Sequence, residues 1–351
     1  MCSTSTGNKN TQDKIDDGIY PFYVRSQTVE RINSWTFDGE AILTAGAGVG
    51  VGKVFHHTYG KIGVHQRVYI LSNFKCDANY LFHFFSSHFY NRVKRMSAKN
   101  SVDSVRKEMI TEMPLYLPSK QEQAKIGVLL SLLDERISTQ NKVIDKLQSL
   151  IRGINQRVFM NSGNNYKLGE ICEIRSGYSG SQLLSKKGLK VSRIETISGH
   201  KVNMERVGYV APFESSENYR LRVGDILFSN INSVEYIGNT AFIDKDYDLY
   251  HGMNLLRLTP NHMVVIPFYL YLLLNTNRML NRFKAVCNKA VSQASINQTE
   301  LGKTVVQIPP IKTQEQICEL YQALYTKLET ESHTKSLFQN QKQYLLRQMF
   351  I

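Results

Sequence analysis

From Ile126 onward, apolar residues recur at alternating steps of four and three: Ile126, Leu130, Leu133, Ile137, then Gln140, then Ile144, Leu147, Ile151, Ile154 and Val158. That period predicts one long helix with a coiled-coil seam in which Gln140 is the single polar position. A second stretch repeats the spacing at Ile317, Tyr321, Leu324 and Leu328, then Glu331 and Lys335, then Phe338, Lys342, Leu345 and Met349. Its seam is polar in the middle. Forty residues of helix span roughly 60 Å, whereas a compact domain of about 115 residues is only about 30 Å across. Neither seam can be buried along its length by its own domain. The expectation is that the two helices pair antiparallel, with Gln140 near Glu331 and Lys335.

The two helices open on "LPSKQEQAKI" (Leu117–Ile126) and "IPPIKTQEQI" (Ile308–Ile317) and close on Phe159 and Phe350. Further upstream the match continues with loops of different length. "GEAIL" (Gly39–Leu43) falls on "VGDIL" (Val223–Leu227), "GVHQRVYIL" (Gly63–Leu71) on "LYHGMNLLRL" (Leu249–Leu258), and "MCSTSTG" (Met1–Gly7) on "ICEIRSG" (Ile171–Gly177). A repeat of this size is a duplicated domain, not a solenoid unit. Each copy reads as a β-rich front with Gly and Asn punctuation. A helix with a basic end follows ("NYLFHFFSSHFYNRVKRM" and "FYLYLLLNTNRMLNRFKAV"), then a short strand closed by proline ("MPLYLP" and "VVQIPP"), then the long helix. The predicted divisions are 1–117, 118–160, 161–308 and 309–351.

Charge sharpens this picture. The net charge of +13 is split almost evenly between the copies, about +7 in residues 1–160 and +6 in 161–351, so each half has its own basic surface. Two polyanion-binding faces are expected, with nucleic acid the leading partner. The five cysteines show no CxxC and no close pairing, which argues against a zinc site or a disulfide framework. The opening "MCSTSTGNKN" has no apolar core of a signal peptide. The longest apolar run, Met263–Leu274, contains Pro267 and is too short to cross a bilayer.

"TAGAGVGVGK" (Thr44–Lys53) has the look of a cofactor loop, but it is neither G-x-G-x-x-G nor a Walker A motif, because Gly52-Lys53 is followed by Val54. Its counterpart, "FSNINSVEYIG" (Phe228–Gly238), lacks the glycines. The loop therefore reads as a tight turn with exposed backbone. His65 and His251 occupy matched positions with no nucleophile or carboxylate at catalytic spacing, and read as structural histidines. His56–His57 is not repeated and makes a poor metal site. "NRVKRMSAKNS" (Asn91–Ser101) and "NRFKAVCNKAVSQAS" (Asn281–Ser295) mix Arg and Lys with amides and hydroxyls, the combination that grips phosphates and reads base edges. A solvated basic helix end has the same composition, and the residues alone leave both readings open.

Two variable units, each closed by a proline-capped strand and a long helix with "EQ" near its start, resemble the specificity (S) subunits of type I restriction-modification systems. "KLGEICEIRSG" (Lys167–Gly177) and "SQASINQTELGKTVVQIPPI" (Ser292–Ile311) carry the resemblance most specifically, and it covers essentially the whole chain. It implies an α+β fold with two globular target recognition domains, separated by two long helices that form an antiparallel coiled coil, as a pseudo-two-fold repeat. It further implies a cytoplasmic, non-catalytic subunit with no cofactor or metal of its own. Each domain would read one half of a split target in double-stranded DNA. The helices would dock two methyltransferase (M) subunits, with restriction (R) subunits joining through the complex. The implied DNA contacts are Arg25, Lys53, Arg92, Lys94, Arg95, Lys99 and Asn100 in the first copy. In the second they are Arg193, Asn230, Asn232, Lys284, Asn288, Lys289 and Gln293.

One departure stands out: nothing precedes Met1 to match "YKLGE" (Tyr166–Glu170), which places the first copy's opening strand in question. Competing functions are a methyltransferase or nuclease with its own site, or a coiled-coil scaffold that does not bind DNA. The only Pro-Pro, Pro309-Pro310, lacks the Asn and aromatic residue of an amino-methyltransferase motif, and no nuclease-like carboxylate–lysine cluster stands out.

Overall fold

The computed structural model describes residues 1–97, 104–159, 163–289 and 293–350, apart from the side chains of Gln156 and Lys289. The chain divides into two compact units, Met1–Val143 with Glu331–Ile351, and Ile144–Thr330.

In the first unit the β-rich front forms β1 (Ser3–Thr6), β2 (Tyr20–Tyr23), β3 (Val29–Ile32), β4 (Phe37–Asp38), β5 (Ala41–Ala45), β6 (Phe55–Thr58), β7 (Lys61–Val64) and β8 (Val68–Ser72). These make two four-stranded sheets, β1-β8-β5-β6 and β3-β2-β7-β4. The strand opening the first copy, β1, is present and pairs antiparallel with β8. Helices α1 (Ala78–Met96), α2 (Lys107–Thr111) and the first part of α3 (Lys120–Val158) follow. The apolar face of α1 (Leu81, Phe85, Phe89, Val93) closes over Ile42 and Leu71 of the first sheet.

The second unit contains β9 (Asn164–Lys167), α4 (Leu168–Ile171), β10 (Cys172–Ser176), β11 (Leu189–Val191), β12 (Gly208–Val210), β13 (Ile226–Ser229), β14 (Ile231–Asn232), β15 (Thr240–Phe242) and β16 (Leu255–Pro260). It continues through α5 (Pro267–Leu274), α6 (Asn277–Val286), β17 (Asn288–Lys289), β18 (Ala294–Ser295), α7 (Gln298–Gly302), β19 (Val305–Ile308) and the first part of α8 (Ile311–Met349). The sheet β10-β16-β13-β15 repeats the order of β1-β8-β5-β6, and all its pairings are likewise antiparallel. The units therefore share one plan.

Two expectations need correction. The single helix expected over Phe268–Val286 is two, because Thr276 breaks it: its hydroxyl accepts the Met279 N–H and caps a new helix. "MPLYLP" forms no strand among the described residues, whereas its counterpart "VVQI" is β19 and pairs with β9.

Both long helices are shared between the units. In the first, Leu130 and Leu133 of α3 pack with Leu346 and Phe350, joined by Phe338, Leu345 and Met349. In the second, Ile151, Ile154 and Val158 pack with Ile317, Tyr321, Leu324 and Leu328. The start of one helix thus meets the end of the other, which is antiparallel pairing. Gln140 reaches Glu331 as expected, its amide donating to the Glu331 carbonyl at 3.2 Å and also to the Glu331 carboxylate. Lys342, a polar seam position, is half-buried and forms an ion pair with Asp134.

Matched glutamines tie each helix to its unit. Gln123 Oε1 accepts the Asp77 N–H (3.1 Å) and its amide donates to the Pro118 carbonyl (2.8 Å). Gln314 Oε1 accepts the Ile266 N–H (2.8 Å), and its amide donates to the carbonyls of Pro309 (2.8 Å) and Val264 (3.2 Å). Each glutamine links the first turn of a long helix to the segment that begins α1 or α5.

Candidate nucleic-acid interface

In the first unit the loop after β5 is pinned at its base. Gly52 N–H donates to the Ala45 carbonyl (3.1 Å), Ala45 N–H to Val54 (3.3 Å), and Val105 N–H to Gly46 (2.8 Å). Gly52 has φ +63° and lies on Tyr90 and Val93 of α1, a backbone conformation that favours glycine. At the tip, Val49 is fully exposed. Arg25, just past β2, brings its guanidinium against Gly48. Lys53 is exposed, with its ammonium 4.6 Å from the Tyr90 ring centroid. Lys94 and Arg95 are exposed on the last turn of α1. The structure thus gathers Arg25 and Lys53 around one loop, above a helix that ends in Lys94 and Arg95.

Arg92 is differently placed. Its Nε donates to the Met109 carbonyl and its Nη2 to the Glu112 carbonyl, both at 2.8 Å. It holds the end of α2 against α1, so its guanidinium is largely committed inside the unit. Arg282 in α6, at the matching position, is also engaged inside its unit, but with a different element: it donates to the Val305 carbonyl at the start of β19 at 2.7 Å. Lys99 and Asn100 lie outside the described residues.

The second unit builds the same frame with different chemistry. Gly238 (φ +83°) closes the loop, its N–H on the Ser229 carbonyl (2.9 Å), while Ser229 N–H donates to Asn239 (2.8 Å). An added Cβ at Gly238 would come within 2.7 Å of the Phe283 ring in α6. Here the loop is rich in amides. A small sheet, β14-β18-β17, sets Asn232 and the pair Asn288–Lys289 on its two outer strands, across the central Ala294–Ser295, with Gln293 leading into that central strand. Asn288 and Gln293 are exposed, and Lys284 is half-buried. Asn230 presents its carbonyl to Ile296 (2.9 Å), while its side-chain oxygen is buried with no partner among the described residues. Asn232 is partly spent internally, donating to Ser229 Oγ (3.1 Å) and accepting from Ser233 N–H (2.8 Å). Arg193 is exposed beside Glu195, 3.4 Å from its carboxylate. Its relation to Tyr250, through Val191, mirrors that of Arg25 to Val64, through Tyr23.

Sequence reasoning missed a cavity of about 130 Å³ lined by Glu195, Arg206, Asn232, Tyr236 and Asn239, among others. These side chains are drawn from three separate loops, and no local motif announces them.

The matched histidines are buried and hold backbone. His65 Nδ1 accepts the Arg67 N–H at 3.0 Å, and His251 Nε2 donates to the Leu255 carbonyl at 2.9 Å. Burial lowers the pKa of both, with nearby Arg25 and Arg67 adding to the effect at His65. His251 falls to about 4. Both are neutral near pH 7 and serve as struts. Among the described residues no group of three His, Cys, Asp or Glu side chains could hold a metal ion. The arrangement offers cations to phosphates and amides to base edges from a hydrogen-bonded frame.

A family model described as the type I restriction modification DNA specificity domain matches residues 2–149 and 162–337. The MjaX type I restriction enzyme specificity subunit of Methanocaldococcus jannaschii is 38% identical over 188 residues, covering 52% of this chain and 44% of that protein. The EcoKI specificity subunit of Escherichia coli K12 is 22% identical over 280 residues, covering 72% of this chain and 60% of the other. The chain therefore spans less than two thirds of the length of these curated relatives. The crystal structure of a type I S subunit from M. genitalium superposes with a TM-score of 0.70 at 15% identity, covering 100% of this chain and 94% of that one, and so shares its fold.

Proposed function

The chain belongs to the type I restriction-modification DNA specificity family, and we propose that it is the DNA-reading subunit of such a complex. On this reading it is non-catalytic and works in the cytoplasm. Each sheet-rich domain, 1–117 and 161–308, reads one half of a bipartite asymmetric target in double-stranded DNA. The helices of 118–160 and 309–351 dock two M subunits, and R subunits join through the complex. No helix among the described residues is long and apolar enough to cross a membrane.

One observation carries the proposal: a single frame is built twice, with divergent chemistry on its loops. The frame is a buried histidine, an arginine just past the neighbouring strand, and a loop closed by a left-handed glycine on a basic helix. Conserving the frame while changing glycine and lysine to amides is what two readers of different half-sites require, since phosphate contacts position a protein and base contacts specify sequence. Arg25, Lys53, Lys94 and Arg95 are proposed as the first domain's contacts, with Lys99 and Asn100 added on sequence grounds. Arg193, Asn230, Asn232, Lys284, Asn288, Lys289 and Gln293 are proposed for the second.

The test is a map of methylated adenines in a host carrying this chain with its M subunit. Replacing residues 170–300 by another member's domain should change one half of the methylated sequence and leave the other unchanged. If both halves change together, or none does, the modular reading fails. A scaffold that does not bind DNA would show no binding whose affinity falls steeply with salt.

A further inference from the structure

The two units differ at one edge. In the second, β19 is covered by β9, in the register Val305↔Lys167, Val306↔Tyr166, Gln307↔Asn165 and Ile308↔Asn164. The chain then continues into α4, where Leu168 N–H donates to the Thr304 carbonyl at 2.9 Å. Tyr166 and Leu168 face inward: Tyr166 packs on the core and Leu168 is fully buried. Asn165 and Lys167 face out. Under this cover Val306 and Ile308 are each 3% exposed.

The constant repeat offset of 191 places Pro114, Leu115, Tyr116 and Leu117 where Val305–Ile308 stand. Among the described residues no strand pairs with them. Leu115 and Leu117 are half-buried rather than buried, and Tyr116 is 78% exposed. The segment is nonetheless held in place: Tyr80 donates its hydroxyl to the Tyr116 carbonyl at 2.9 Å, and Gln123 binds the Pro118 carbonyl. The segment is fixed and carries no paired strand among the described residues, and an extended segment of this kind can pair with an incoming strand.

A second observation points the same way. The register sets the counterpart of Tyr166 opposite Leu115, and that of Leu168 at Met113. A largely apolar cavity of about 130 Å³, lined by Met113, Leu115, Ile110 and Met1 among others, lies at those two residues. On the other side of the segment, Tyr116, Leu117 and Pro118 wall a groove of about 440 Å³ with Tyr80, Ile126 and Met349.

We propose that the Pro114–Leu117 edge is an acceptor site for an extended peptide, one that adds as an antiparallel strand. The peptide it fits has the chemistry of β9 and its continuation: an aromatic residue, then two positions later a leucine, both inward, with polar residues between. Backbone hydrogen bonds would supply the pairing, and the cavity at Met113 and Leu115 would select the two inward side chains. Neither Arg25 nor Lys53 lines the two cavities at the site, and its test uses no DNA, so its outcome is separate from that of the DNA-reading proposal.

The probe is a capped synthetic peptide with the sequence of residues 163–170, Gly-Asn-Asn-Tyr-Lys-Leu-Gly-Glu, added to the full chain. Amide hydrogen exchange followed by mass spectrometry should show slowed exchange at residues 115–117. A peptide with its Tyr and Leu both changed to Ala should bind at least tenfold more weakly. So should one with N-methylated backbone amides, which cannot donate to the edge; neither change touches the folding of the protein. Prepending the same eight residues directly to Met1 should give the same protection without added peptide. No protection at 115–117 from either form, protection only elsewhere, or equal binding by the N-methylated peptide would overturn the proposal.

Discussion

Gln314 is 0% exposed and answers three backbone groups. Replacing it with Leu keeps the volume and removes every hydrogen bond. The Ile266 N–H and the Pro309 and Val264 carbonyls would then be left in the interior without that partner. A buried polar group deprived of its partner costs roughly 1–3 kcal/mol. The Val264 bond is the longest of the three at 3.2 Å and is discounted to the low end. Gln314→Leu should therefore cost about 4 kcal/mol, within a factor of about two. Gln123→Leu, which strands only Asp77 N–H and the Pro118 carbonyl, should cost about 2–3 kcal/mol. Two units need not unfold together, so the assay is denaturant-dependent hydrogen exchange read separately at α5 and α1. Gln314→Leu should lower the opening free energy at α5 and leave α1 nearly unchanged; Gln123→Leu should do the reverse. A loss below about 1 kcal/mol in either, or an equal loss at both helices, would refute the idea that these glutamines are the local ties.

Three further outcomes are expected. His251, lowered to about 4 from 6.5 by burial, binds its proton less readily folded than unfolded. Its stabilising contribution is therefore full above about pH 6.5 and lost as pH falls towards 4, by roughly 3 kcal/mol at about 1.4 kcal/mol per pKa unit; exchange at β16 should show that slope, and His251→Gln should flatten it. Gly238→Ala, which drives a methyl into Phe283 at a left-handed backbone position, should destabilise by about 2 kcal/mol or more in thermal melts, whereas Gly52→Ala, with only ordinary contacts at 3.5 Å or beyond, should cost about 1 kcal/mol. Four residues inserted near Gln140 lengthen that helix by roughly 6 Å, almost two base pairs at about 3.4 Å each, so the methylation map should show a longer spacer between unchanged half-sites; an active variant with an unchanged spacer would show that the helices do not set it.

The helices and the duplication were legible because seam periodicity is a long-range signal repeated over ten positions, and Gln140 was correctly set against Glu331. The matched histidines were also legible as struts, since they lacked any reacting partner in sequence. Local competition was harder to read. Nothing in "LLLNTNRM" weighs Thr276 as a cap against continued helix. "MPLYLP" looks like a strand because strand chemistry is all a sequence displays, whereas a strand exists only when something pairs with it. Arg92 failed as a free cation for a similar reason. Its neighbours Lys94 and Arg95 have the same composition and the same helix, but the facing carbonyls of Met109 and Glu112 belong to another element.

The meeting of Gln140 with Glu331 also bears on ancestry. The two residues are the same position in the two copies, so a half-length forerunner that paired with itself would have placed identical side chains there. Two glutamines can satisfy each other, amide to carbonyl. Two glutamates would set like charges together in a half-buried seam, which is unfavourable. A fused chain can keep glutamine on one side and glutamate on the other, with the amide donating to the carboxylate. Duplication thus opened a route to private complementarity, in which each half prefers its sibling to a copy of itself, and a stray C-terminal half is a poor partner for its own kind.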